Sequence, residues 1–173
     1  MSTERAHELI ARYVKVKKPI QEAVDSFYAT HLEGSYVIGI HFRGTDKKTE
    51  APIVQYNVVY THINNILINA QKEHGNNIKL FLATDDQHFL NDLQKKYPNK
   101  VYAVDTLRSS NGNAMHTSNG SAPYEKGKSA VVDALLLSKS DFLIKSPSNL
   151  SDSSLMFNPT IPYIRLNNEY SRG

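Results

Sequence analysis

Five short apolar runs, rich in β-branched and aromatic residues, recur along the chain: Tyr36–Phe42, Ile78–Ala83, Lys100–Val104, Asp141–Lys145 and Pro162–Leu166. Between them lie stretches of helical period. Val54–Lys72 brings Val58, Ile63, Ile66 and Leu67 to one side, and Glu125–Ser138 makes a face of Val131, Ala134, Leu135 and Ser138, while His88–Lys96 reads similarly. Strands that alternate with helices point to a parallel sheet, because a parallel return needs a crossover long enough to hold a helix. The strands are near-continuous apolar runs, as expected when helices cover both faces of the sheet. The expectation is an α/β fold, a doubly wound parallel sheet of about five strands. Two more helices, Thr3–Val14 and Pro19–His31, precede the first strand. We read residues 1–34 as an N-terminal helical segment and 35–173 as the sheet-bearing domain.

The 173 residues suit a single core, and with no Cys the chain offers no thiolate nucleophile, no Cys-ligated zinc and no iron–sulfur cluster. Lys and Arg exceed Asp and Glu by only 20 to 17, and the basic residues are interspersed with acidic ones apart from "VKVKK" at Val14–Lys18. Charge gives no support to nucleic-acid binding, although a local surplus could serve a phosphate-bearing small molecule. No apolar run approaches the ~20 residues that span a bilayer, and "MSTERAHELI" lacks the build of a signal peptide. The segment Thr106–Pro123, rich in Ser, Asn and Gly and without period, reads as a flexible loop at the rim of a site.

In an open α/β sheet, ligands bind beyond the carboxyl ends of the strands. The first run ends in His41, Arg43, Thr45, Asp46 and Lys47, the second in Thr84, Asp85 and Asp86, and the fourth in Ser146, Ser148, Asn149 and Ser151, with Asp133 on the helix before it. A parallel sheet brings these clusters to one edge. "TDDQ" also fits a capping box, with Thr84 as N-cap and Gln87 reaching back, and "SPSNLSD" starts a helix with an ordinary Ser or Asn cap. A helix start offers N–H groups and a dipole to phosphate as well, so cap and ligand site are compatible. A charge leaving a central strand needs a partner. For Arg43 that partner is Asp46, Asp85 or Asp86 in a structural role, or a diphosphate, which the planar guanidinium grips in bidentate fashion. No metal is expected: Asp85 and Asp86 have no His or Glu at ligand spacing, and Lys47 and Lys48 compete with a cation. There is no phosphate loop, and no G-x-G-x-x-G follows the first run, which disfavours nucleotide hydrolysis and nicotinamide binding.

"VIGIHFRGTDKKTEAP", "KLFLATDD" and "GKSAVVDALLLSKSDFLIKSPSNLS" together resemble the motifs of GDP-fucose-dependent fucosyltransferases. The likeness is nearest to the α-1,6-fucosyltransferases and bacterial nodulation fucosyltransferases, and more distant to protein O-fucosyltransferases. It runs from about the second helix to the last strand. The resemblance implies one half of a GT-B glycosyltransferase, in which 35–173 would be a Rossmann-like domain binding the nucleotide sugar. The half expected to carry much of the acceptor site is absent, so the chain would be an excised donor half or a naturally minimal protein.

By the same resemblance, Arg43 would bind the diphosphate and offset charge on departing GDP, and His41 would lie against the nucleotide or ribose. Asp133 would accept from the guanine edge, and Ser148 and Asn149 would bind phosphate. Asp46 and Asp85 would orient Arg43 and its neighbours, and Glu50 would be the catalytic base. The implied reaction is inverting transfer of fucose from GDP-fucose, or of another sugar from its GDP donor, to a glycan or protein hydroxyl. Neither cofactor nor metal is expected. The rivals are a non-catalytic guanine-nucleotide or nucleotide-sugar binding domain that needs a missing N-terminal half, and a structural module whose polar clusters are caps and salt bridges. Two departures stand out: Gly44 stands where the α-1,6 enzymes have a second Arg, and Glu50 aligns only across a one-residue gap. The compartment stays open between a bacterial or viral cytoplasm and a Golgi lumen reached through a preceding anchor. The sequons at Asn119 and Asn149 do not decide it.

Overall fold

The computed structural model describes residues 2–44, 54–105 and 123–166. In chain order these form α1 (Thr3–Tyr13), α2 (Lys18–His31), β1 (Tyr36–Phe42), α3 (Tyr56–His74), β2 (Ile78–Thr84), α4 (Gln87–Lys96), β3 (Val101–Tyr102), α5 (Pro123–Ser138), β4 (Phe142–Lys145), α6 (Asn149–Phe157) and β5 (Tyr163–Arg165). The expected alternation of strands and helices is present. The Ser-, Asn- and Gly-rich segment falls almost wholly at 106–122, outside the described residues.

The five strands form one sheet in the order β3-β2-β1-β4-β5, and every neighbouring pair is parallel. β1 is the centre: all seven of its residues pair with β2, Tyr36 to Ile78 through Phe42 to Thr84, and Ile38–His41 pair with Phe142–Lys145. The chain steps outward from β1 to β2 to β3, then returns across the sheet and lays β4 on the other side of β1. The strand order thus reverses between β1 and β4, which makes their carboxyl ends the topological switch point.

Side-chain alternation sends successive residues of β1 and β2 to opposite faces. Ile38, Ile40 and Phe42, with Leu80 and Leu82, share a core with Val59, Ile63 and Leu67 of α3 and Phe89 and Leu93 of α4. Val37, Phe81 and Ala83 share the second core with Ile20 and Val24 of α2, Val132 and Leu136 of α5, and Leu155 of α6. Phe42 is fully buried; truncating a buried Phe to Ala costs about 3–5 kcal/mol.

The helix faces differ from the periodicity reading by one residue. Val59 rather than Val58 enters the α3 core, and Val132 rather than Val131 the α5 core; Val58 and Val131 are exposed. At each site two valines are adjacent, and both fit a helical stripe. Contact with the sheet decides between them.

Local chemistry sets the element ends. Ser2 caps α1 by accepting from the Arg5 N–H at 3.3 Å. Pro19 lies in the first turn of α2, where its missing N–H costs nothing. Gly75 ends α3 at φ 60°, a conformation open to glycine at little cost. Gly39 is required for a different reason: a Cβ there would come 3.0 Å from Ser140 Cβ and 3.2 Å from Leu137 Cδ2, so β1 and the end of α5 approach closely.

Candidate functional site

His41 lies two residues beyond Gly39 and four beyond Val37, on the sheet face that α2 and α5 cover. In register it sits between Ala83 of β2 and Lys145 of β4. It is 5% exposed, and among the described residues its Nδ1 has no hydrogen-bond partner. Burial first, then the charges of Lys145 and Arg43, push its pKa down to about 4; the Ser146 main chain and Asp152 oppose them. His41 is therefore a neutral imidazole at pH 7, with one ring nitrogen donating and the other accepting.

The chain beyond His41 is held from both sides. The Arg43 N–H donates to Ser146 Oγ at 3.4 Å, from the β4 end. The Gly44 N–H donates to Asp85 Oδ1 at 2.9 Å, from the β2 end. Among the described residues, members of the first, second and fourth polar clusters meet at one edge of the sheet, where the Arg43–Gly44 main chain joins Asp85 and Ser146.

Asp86, next to Asp85, has a structural assignment. Its Oδ1 accepts from the N–H groups of His88 (2.9 Å) and Phe89 (3.1 Å), and its Oδ2 accepts from the Tyr56 hydroxyl at 2.6 Å. Burial, followed by this carboxylate, raises the Tyr56 phenol well above its ordinary value. Asp86 is thus the N-cap of α4, not Thr84 as the capping-box reading expects. β2 continues through Thr84, whose Oγ1 accepts from the Asp86 N–H at 3.1 Å, while Gln87 Nε2 turns outward to Asn91 Oδ1 at 2.9 Å. Asp86 also explains Gly44. A Cβ at position 44 would stand 2.7 Å from Asp86 Cβ and 2.9 Å from Cγ, a space no side chain can share unless the cap moves.

The β4 side carries α6. Ser148 caps it, accepting from the Leu150 N–H at 3.3 Å, and Asn149 begins the helix on an exposed surface. Ser151 Oγ donates to the carbonyls of Ser146 (2.9 Å) and Ser148 (3.1 Å), which knits the strand end to the helix start. Asp133 is half-buried on α5, one turn ahead of Leu137, whose side chain lies against Gly39. Because α5 returns antiparallel to the strands, that turn lies nearer the carboxyl edge. Asp46 and Glu50 lie outside the described residues.

Sequence reasoning missed Lys145. It is 1% exposed, the one Lys, Arg, Asp or Glu among the buried side chains of the described residues. Its Nζ is bonded to the Asp152 carboxylate in the first turn of α6. The signal was the one that singled out Arg43, a charge closing the apolar run "FLIK". Among the described residues, no three His, Asp or Glu side chains converge as a metal site, and no helix is long and apolar enough to cross a membrane.

Known proteins resemble this chain in sequence and in fold. The chain is 28% identical over 149 residues to nodulation protein Z of Sinorhizobium fredii (strain NBRC 101917 / NGR234), covering 83% of this chain and 46% of the relative. It is 27% identical over 171 residues to nodulation protein Z of Bradyrhizobium diazoefficiens, covering 95% and 46%. A crystal structure of NodZ α-1,6-fucosyltransferase soaked with GDP-fucose superposes with a TM-score of 0.64 at 23% identity, covering 96% of this chain and 50% of that one. The chain spans about half the length of the relatives it matches, and its fold is that of one half of a GT-B glycosyltransferase. The family model for nodulation protein Z (NodZ) matches residues 2–168, nearly the whole chain, and the chain belongs to that family.

Proposed function

We propose that this chain is the donor half of a fucosyltransferase and binds GDP-fucose at the β1–β4 switch point. The observation that carries the reading is the convergence of Arg43, the buried neutral His41 and the Ser148-capped start of α6 on one sheet edge. The reading is consistent with the fold that this chain shares with the NodZ structure soaked with GDP-fucose. Residues 35–173 would form the nucleotide-sugar domain, with the helices of 1–34 packed on its α5–α6 side.

In this reading Arg43 grips the diphosphate, and the N–H groups at the start of α6, with Ser148 and Asn149, take the remaining oxygens. His41 meets the nucleotide, Asp133 accepts from the N–H pair of guanine, and Asp85 holds the Gly44 N–H so that Arg43 is oriented toward the phosphates. Glu50 removes the proton of an acceptor hydroxyl as its oxygen bonds to the anomeric carbon of fucose. The bond from that carbon to the β-phosphate oxygen breaks, and GDP leaves with the electron pair. Positive charge and N–H donors stabilise the departing diphosphate without requiring a metal. Asp46, together with Asp85, would orient Arg43 and neighbouring groups. The acceptor is a glycan or protein hydroxyl.

Calorimetry with GDP and GDP-fucose tests the reading. Wild-type protein should bind both, with or without a chelator, and Arg43→Ala should lose most of the affinity. If the wild type binds no guanine nucleotide, the assignment fails. Binding without transfer or donor hydrolysis would make the chain a binding domain alone.

A further inference from the structure

Lys145 has no role in the reaction proposed above, yet it stands beside His41 in that site. It closes β4 beside His41 in the sheet register, on the face of Leu143 and Val37. The strand end that follows it reaches Arg43 through Ser146 Oγ. Burying an ammonium so completely is costly unless a counter-charge meets it. The counter-charge here is Asp152, whose side chain is 43% exposed.

Asp152 is in an awkward place for an anion site. A carboxylate in the first turn of a helix is attracted by the same dipole that would hold a phosphate. Any diphosphate at the start of α6 therefore meets a fixed negative charge in that turn. A second observation marks the site as built for a ligand: the Nδ1 atom of His41, on a 5% exposed residue, has no hydrogen-bond partner among the described residues.

We propose that Lys145 is a positioning residue that cancels the Asp152 carboxylate and so leaves the first turn of α6 free to accept a diphosphate. The inference rests on the donor-site reading and deepens it. Lys145 does not touch the reacting atoms; it acts through Asp152. Its location also fits the steric limit at Gly44, where Asp86 leaves no room for a longer side chain. The charge that offsets Asp152 thus comes from within β4 and not from the residue after Arg43.

The test compares the affinities of guanosine, GMP and GDP in three variants, each with a melting curve. Lys145→Met should weaken GDP by about tenfold, the scale of one uncompensated charge near a part-exposed diphosphate. GMP should weaken less and guanosine hardly at all. Lys145→Met with Asp152→Asn should restore GDP to within about threefold of wild type, because both charges are gone and neutral replacement of a buried pair is tolerated. Asp152→Asn alone should strengthen GDP binding, since the amide keeps an acceptor for Lys145 but not the charge.

Equal weakening of guanosine and GDP in Lys145→Met would show a purely structural role and overturn the proposal. So would a double variant no better than the single one, or weaker GDP binding in Asp152→Asn. If Lys145→Met does not fold, the other two variants still decide. Arg43→Ala separates the two levels of the argument. Wild-type GDP binding that Arg43→Ala abolishes and Lys145→Met spares removes this inference alone. No GDP binding by wild type removes the donor-site reading, and this inference with it.

Discussion

Acid should destabilise this protein through His41, and the size of the effect follows from its surroundings. In the unfolded chain the imidazole takes a proton near pH 6.5, whereas in the folded chain burial and the charges of Lys145 and Arg43 hold its pKa down to about 4. Between those values the unfolded state binds more protons than the folded one, so stability falls as pH falls. The stabilisation is complete above the unfolded pKa, is lost progressively from pH 6.5 downward, and levels off below about pH 4. The full span is worth about 3 kcal/mol, and about 2 kcal/mol of it is gone by pH 5. Carboxylates titrate in part of the same window, so the useful quantity is the difference between wild type and His41→Gln. Urea unfolding from pH 4 to 7.5 without nucleotide should show wild type losing about 2 kcal/mol more than the variant between pH 7 and pH 5. Parallel stability curves for the two proteins would refute the argument, because they would mean that His41 titrates alike in the folded and unfolded chains.

Three more outcomes are expected. Gly44→Ala should cost about 1–3 kcal/mol in urea unfolding, the range for forcing a methyl into filled space; an unchanged midpoint would mean that the Asp86 cap yields freely. Asp133→Asn should reduce the preference for GDP over ADP and UDP in calorimetry, and unchanged base selectivity would remove Asp133 from the guanine role. Glu50→Gln should abolish transfer, measured as acceptor-dependent GDP release, while GDP affinity stays near wild type; retained turnover would refute its role as base.

Much of the fold was legible because the strand signals are strong and the helices between them long. Tyr36–Phe42 matches β1 residue for residue, since an apolar run bounded by Gly34 and Ser35 before it and by Arg43 after it has little choice of ends. The edge strands were read too long: Lys100–Val104 contracts to Val101–Tyr102 and Pro162–Leu166 to Tyr163–Arg165. An edge strand has a partner on one side only, and its length is set by that partner. The converging edge of the site was legible as a consequence of parallel topology. What stayed hidden depends on contacts between distant residues. Asp86 as cap, its bond to Tyr56 and its closeness to Gly44 join three separate stretches of chain. The pairing of Lys145 with Asp152 depends on how α6 folds back over the end of β4.

The central place of β1 also has a kinetic consequence. Its pairing with β2 joins residues about forty apart, whereas its pairing with β4 joins Gly39 to Leu143, across most of the chain. Loop-closure entropy weighs more heavily on the second pairing, which favours its forming later. The β1–β2 half, with α3, α4 and the Asp85–Gly44 bond, can assemble before β4 and α6 arrive. His41 then gains Lys145 as its neighbour, and the Arg43 N–H gains Ser146 Oγ, only when β4 joins β1. The proposed nucleotide site therefore reports completion of the fold, and refolding followed by nucleotide binding should lag behind burial of Phe42 and Phe89.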